Sequence, residues 1–153
     1  MATSSIGYWC SVAAHQYFAR LQEKLVQLDI TQWYYVLLTI DEGRGTLSQQ
    51  QLADRLQLDK VTMTRAIDHL CEKGYVERCD CIRDRRKYLV KPTPKARPAL
   101  RAIHKAYAAL NDEALAGLKK ADRAAFLGQL MMVVSNLHKD AAPVAITNKR
   151  VHA

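Results

Sequence analysis

No stretch of this 153-residue chain is apolar for long. The longest runs, such as Trp33–Leu38, fall far short of the ~20 residues a membrane-spanning helix needs. Met1–Ser5 has neither the basic stretch nor the apolar core of a secretory signal, so the expectation is a cytoplasmic protein with no membrane partner. There are only four cysteines, Cys10, Cys71, Cys79 and Cys81, which in such a compartment do not suggest a disulfide framework. Internal repeats and low-complexity segments are absent. So are a glycine-rich phosphate loop, a His-x-x-x-His pair and a Ser or Cys nucleophile with a recognisable partner. No catalytic residue, metal ligand set or cofactor is therefore expected, and the chain does not read as an enzyme.

Composition is otherwise that of an ordinary globular domain, 49% hydrophobic and 25% charged, long enough to bury a core unaided. The charge is uneven. Lys plus Arg number 23 against 15 acidic residues, a net +8. All of that excess lies between Lys60 and Lys105, where 13 basic residues face 5 acidic ones. A neutral body with one basic segment is the footprint of a polyanion-binding surface, although a solvated basic face has the same composition.

Periodicity places that segment in a fold. Ile6, Trp9, Cys10, Ala13, Tyr17, Leu21, Leu25 and Leu28 recur in threes and fours, which predicts a helix over about 5–28. Thr31 is a candidate N-cap for a second helix through Ile40, and Asp41–Gly45 reads as a turn. Ser48 with Gln51 fits a capping box for a third helix, in which Ala53 allows a close crossing. Asp59 is placed to cap a fourth helix, Lys60–Lys73, ended by Gly74. At 100° per residue, Met63, Ala66, Ile67 and Leu70 share one face of it, and Val61, Thr64, Arg65 and Asp68 the other. Beyond Gly74 the period becomes two. Tyr75–Cys79 and Lys87–Lys91 alternate as strands around the charged connection Asp80–Arg86, a hairpin stopped by Pro92. Thr93-Pro94 fits the start of a long helix carrying Leu100, Ile103, Tyr107 and Leu110, with Pro98 oddly inside it. A last helix, with Asp122 as its cap, carries Phe126, Leu130, Val133, Val134 and Leu137. From 141 to 153 the pattern is lost, as in a frayed tail.

The predicted fold class is thus mainly α with a small β-hairpin wing: a winged helix-turn-helix over about 31–92, flanked by helices over about 5–28 and 94–139. The ordered set Thr62–Leu70, Lys73-Gly74-Tyr75-Val76, Arg78, Asp84-Arg85-Arg86 and Leu89-Val90-Lys91 resembles the recognition helix and wing of the MarR (multiple antibiotic resistance regulator) family of winged-helix transcription factors. The resemblance covers most of the chain as a single domain. Pro92-Thr93-Pro94-Lys95-Ala96 departs from the family's usual Leu-Thr followed by Gly after the wing, and Asp59 stands where Ser is common.

The resemblance implies a homodimer on double-stranded DNA, with the terminal helices of the two chains interleaved. The apolar stripes at both ends agree, although they would also serve a monomer if packed within one chain. Two recognition helices would then meet half-sites about one helical turn apart, in a pseudo-palindromic operator. Arg65 is the candidate for guanine, with a phosphate contact or a bridge to Asp68 as the alternative. Val61 or Thr64 suits a thymine methyl, and Lys60 and Thr62 suit phosphate near the helix start. Asp68, which would repel phosphate, should pair with a basic side chain, one candidate source being the wing. Arg83, Arg85 and Arg86 suit the minor groove or the backbone beside it. In the family motif Arg86 reaches the groove and Asp84 braces the loop.

The resemblance also implies control by a small aromatic or anionic effector, with release of a repressor from its operator. His15, Tyr17, Trp33, Tyr34 and Tyr35 are candidates for that pocket, or are simply core. A rival is a thiol- or metal-sensing regulator of the same fold. Cys10 lies near the start of the first helix, where some relatives sense peroxide, but about one turn too close to the Ile30-Thr31 landmark, and reads better as a small core residue. Cys79 and Cys81 would share one face of a strand, open to oxidation or a soft metal. From another class, a winged-helix interaction scaffold without an operator remains the alternative.

Overall fold

A computed structural model of the chain describes residues 4–30, 32–80 and 88–137. Eight elements follow one another: α1 (Ile6–Lys24), α2 (Tyr34–Glu42), α3 (Gln49–Leu56), α4 (Lys60–Glu72), β1 (Val76–Asp80), β2 (Tyr88–Pro92), α5 (Ala96–Ala114) and α6 (Lys120–Leu137). They form two compact units, the first ending at Ala114 and the second holding α6. No described helix is long and apolar enough to cross a membrane. The loop holding Cys81, Arg83, Asp84, Arg85 and Arg86 lies outside the described residues, as do Thr31 and the tail over 141–153.

The first unit is built on one core. Leu21 and Leu25 come from α1 and its exit, Val36, Leu37 and Ile40 from α2, and Leu52 from α3. Met63, Ile67 and Leu70 of α4 join Val76, Val90, Ile103 and Leu110 in the same cluster. The caps read from sequence hold the helix-turn-helix. The Ser48 hydroxyl accepts the Gln51 N–H, and the Gln51 side chain accepts the Ser48 N–H at 2.9 Å, a closed capping box. Asp59 caps α4 through the Thr62 N–H at 2.8 Å. Gly74, at φ +73, ends that helix in a left-handed turn. There the Tyr75 N–H reaches the Leu70 carbonyl and the Gly74 N–H that of Cys71, each at 2.9 Å, the paired bonds of a Schellman motif.

β1 and β2 pair antiparallel, Val76 opposite Pro92 and Asp80 opposite Tyr88, so each strand lies one residue beyond its expected span. Periodicity missed a third contribution. The Val90 N–H donates to the Leu47 carbonyl at 3.2 Å and Ser48 bridges to Leu89. The residues leading into α3 therefore anchor the wing. Gly45 (φ +68) permits this approach, since a Cβ there would sit 2.5 Å from Lys91 Cγ.

Several expected boundaries are corrected. α2 starts at Tyr34 behind Trp33, which makes no side-chain cap. Thr93 does not cap α5. Its N–H donates to the Tyr75 carbonyl and its hydroxyl to that of Gly74, at 2.9 and 2.7 Å. α5 starts at Ala96, which puts Pro98 in its first turn, where a missing N–H costs no helical bond. α6 starts at Lys120, so Asp122 lies in its first turn instead of capping it.

The two end helices carry apolar surface. On α1, Ile6, Trp9 and Phe18 are more than half exposed, and Cys10 is exposed as well, contrary to its reading as a core residue. No residue of α6 is buried, and Phe126, Leu127, Leu130, Met131, Val134 and Leu137 are all exposed. Met132, 61% exposed, lies about 100° outside the arc of those six, so apolar side chains surround most of the helix.

Candidate nucleic-acid interface and adjoining cavity

α4 is two-faced. Met63, Ala66, Ile67 and Leu70 have no solvent exposure, which fixes the helix about its axis. Lys60, Arg65 and Asp68 are exposed on the other side. Val61 stands among them 60% exposed, a large apolar side chain held in water by the packing of its neighbours. The two threonines differ from the simple outward reading. The Thr64 hydroxyl donates to the Lys60 carbonyl at 2.8 Å and accepts from Gln49 Nε2 at 2.6 Å, linking α4 to α3. The Thr62 hydroxyl donates to Asp59 Oδ2 at 2.5 Å. The Thr62 hydroxyl and N–H together hold the Asp59 carboxyl below its ordinary range.

Asp68 has the expected basic partner from the wing: Arg78 of β1. Behind α4 a second cluster secures its C-terminal end. The Tyr75 hydroxyl donates to Asp29 Oδ1 at 2.9 Å, and Lys73 lies 3.5 Å from Asp29 Oδ2. Lys95 donates to the Lys73 carbonyl at 2.6 Å and sits over the Tyr75 ring.

Of the aromatic candidates, His15, Trp33, Tyr34 and Tyr35 line one cavity of about 650 Å³. Tyr17 does not; its hydroxyl donates to Asn111 Oδ1 at 2.7 Å and its ring packs on Tyr107. Phe18, Gln22, Gln32, Thr62 and Tyr107 complete the wall in its place. Tyr107 was visible only as part of the α5 stripe, and the glutamines gave no signal. Burial raises the phenols of Tyr34, Tyr35 and Tyr107, the last to about 12, where neighbouring tyrosines add to burial. Cys71 and Cys79 are half-buried, and burial raises the Cys71 thiol. Among the described residues no three His, Cys, Asp or Glu side chains group as a metal site.

A helix held rigidly by its buried face and both ends, presenting cations and an exposed valine beside a hairpin, is the geometry of a winged-helix reader. Residues 27–87 match the family model described as "MarR family". The MarR family therefore shares the helix-turn-helix and first wing strand of this chain. Among solved MarR-type structures, a mutant MarR from E. coli complexed with operator DNA is 29% identical, covering 84% of this chain and 92% of that one at a TM-score of 0.74. A MarR transcriptional regulator from Methanosarcina mazei is 25% identical, covering 86% and 94%, with a TM-score of 0.79. CouR from Rhodococcus jostii, bound to p-coumaroyl-CoA, shares the fold at 19% identity and a TM-score of 0.77, covering 92% and 99%.

Proposed function

We propose that this chain is a MarR-type transcriptional repressor that binds a pseudo-palindromic operator as a homodimer and leaves it when a small molecule binds. The observation that carries the reading is the exposed face of α4. Lys60, Val61 and Arg65 stand in solvent while the opposite face has no exposure at all. Arg65 has the fork geometry for guanine and Val61 the apolar surface for a thymine methyl, while Lys60 meets phosphate. The Thr62 and Thr64 hydroxyls are committed within the protein, so Thr64 offers DNA only its methyl. Arg83, Arg85 and Arg86, with Asp84 as brace, carry the wing's contribution from a loop outside the described residues.

The dimer is supported by the exposed apolar side chains of α1 and α6. A helix of 18 residues with no buried residue has little to hold it in water alone, and a second copy supplies the missing surface. The effector is supported by the cavity beside α4. Its volume lies in the range of small-molecule sites, and MarR-type proteins such as CouR are solved with a ligand bound.

The test is binding to a duplex selected from a random pool, with excess competitor DNA, across a salt series. The expected result is competitor-resistant binding whose log affinity falls steeply with log salt. Binding lost equally to any competitor would overturn the operator and favour an interaction scaffold.

A further inference from the structure

We propose that the cavity beside α4 takes an uncharged planar aromatic ligand, and that Thr62 is the positioning residue through which its occupancy reaches the DNA-reading face. This rests on the regulator reading above and names both the ligand class and the route of control.

The ligand class follows from the wall. Five rings (Phe18, Trp33, Tyr34, Tyr35 and Tyr107) meet there with His15, Gln22 and Gln32. No Lys, Arg, Asp or Glu is among the described residues of that wall. A carboxylate entering it would lose hydration without gaining a fixed cation, which is costly in a ring-lined site. A neutral head group, such as an amide, phenol or heterocycle, finds amide and imidazole partners instead. The rings offer stacking faces on both sides of a flat body.

The route follows from Thr62. It is the one α4 residue in the wall, in the helix's first turn. Its N–H and hydroxyl both go to Asp59, the α4 cap, at 2.8 and 2.5 Å. A β-branched side chain has few rotamers to yield into. A ligand pressing on it either breaks the bond from hydroxyl to carboxylate or carries the start of α4 with it. Lys60, Val61 and Arg65 lie within four residues of the cap's partners, so either response moves the face that meets DNA. The Thr64–Gln49 bond makes α3 travel too.

The test uses two isosteric probes, 2-naphthamide and 2-naphthoate, at pH 8. Calorimetry reads their binding to the full chain, and fluorescence anisotropy reads affinity for the selected duplex with and without saturating probe. The amide should bind at least tenfold more tightly than the carboxylate and weaken DNA binding about tenfold. Thr62→Val should bind the amide within threefold of the parent Kd, yet its ratio of DNA affinities without and with amide should fall below three. Thr62→Ser should restore the parent ratio. The ratio is compared within each variant, so altered basal DNA affinity cancels. Asp59→Ser, which keeps one acceptor for the Thr62 N–H, should lose the ratio as Thr62→Val does and serves if the valine variant does not fold. Equal or tighter naphthoate binding overturns the ligand class. A tenfold ratio persisting in the Thr62→Val and Asp59→Ser variants overturns the route. A chain that binds DNA but neither probe overturns the ligand assignment and leaves the regulator reading intact. One that binds the amide but no DNA overturns the regulator reading and leaves the ligand class standing.

Discussion

Arg78 Nη2 lies 2.5 Å from Asp68 Oδ1, so a strand of the wing neutralises the acid that stands beside Arg65 on the exposed face of α4, one turn before Glu72. The pair is partly exposed, and pairs of that kind contribute under about 1 kcal/mol to folding. Its value lies in what DNA meets. Arg78→Ala should leave the melting curve almost unmoved and weaken DNA binding, because Asp68 then faces phosphate uncompensated. Asp68→Asn added to Arg78→Ala should recover much of that loss. Equal weakening in the double variant would show that Arg78 touches DNA itself.

Lys60 and Arg65 should separate by kind of contact. Lys60→Ala is expected to weaken binding evenly across sequences and lower the slope of log affinity against log salt by about one. Arg65→Ala should cost about 1–3 kcal/mol on the selected duplex and relax the preference at one base pair. Competition with single-base variants of the duplex, at fixed salt, distinguishes the two.

Ser48 is buried and closes the capping box of α3. Ser48→Ala should destabilise the chain by about 1 kcal/mol, read as a lower urea midpoint at unchanged slope. Ser48→Asp, which keeps an acceptor for the Gln51 N–H, should lose less.

Stability should fall at both pH extremes through the Asp29–Tyr75 pair. The hydrogen bond from the Tyr75 hydroxyl, with Lys73 and Lys95 adding to it, lowers the Asp29 carboxyl from its ordinary 3.8. The unfolded chain therefore binds the proton first. The contribution is complete above about pH 4 and is lost as pH falls through the lower folded value. Burial, then the bond to Asp29, raises Tyr75 from 10.0 to about 12. Here the unfolded chain gives up its proton first. That contribution is present below pH 10 and lost as pH rises towards 12. Tyr75→Phe should flatten the acid limb and remove part of the alkaline one, leaving the part due to Tyr107, also raised to about 12. Urea melts across pH check both limbs.

Leu130 of α6 is 36% exposed, with Phe126, Leu127 and Val134 exposed beside it. Leu130→Asp should convert a dimer into single chains of 17.3 kDa in sedimentation, with loss of operator binding. An unchanged mass would move the dimer interface off α6.

What the sequence disclosed depended on how far apart the partners lie. The α4 axis, its caps and its buried face were readable because Asp59, Thr62, Met63, Leu70 and Gly74 act on each other within a few turns. The Arg78–Asp68 pair was readable in outline, since a hairpin directly after the helix must return beside it. Thr93 was misread because its partners, Gly74 and Tyr75, lie across the whole wing. Its place before Pro94 looked like a local signal. The bond from Gln49 to the Thr64 hydroxyl was not legible for the same reason, since Gln49 lies 15 residues away. Cys10 shares the apolar period of α1, and period alone does not say whether its face is covered within the chain or outside it. The cavity wall draws on α1, α2, α4 and α5. Of the candidates from the first two helical stretches, His15, Trp33, Tyr34 and Tyr35 reach it, whereas Tyr17 turns to Asn111 and its neighbour Phe18, not among them, takes a place in the wall.

Thr93 has a wider consequence. By bonding Gly74 and Tyr75 it closes the wing at its base, so both ends of the hairpin leave the body from one fixed point. The strands themselves are held by Leu47 and Asp68, through Val90 and Arg78, so the part free to vary lies beyond Asp80 and Tyr88. The seven residues separating Asp80 from Tyr88 can be exchanged, lengthened or recharged at little entropic cost, while α4 and α5 keep their seats. Descent with altered DNA preference needs no refitting of the core; variation can be confined to a segment whose mooring never changes.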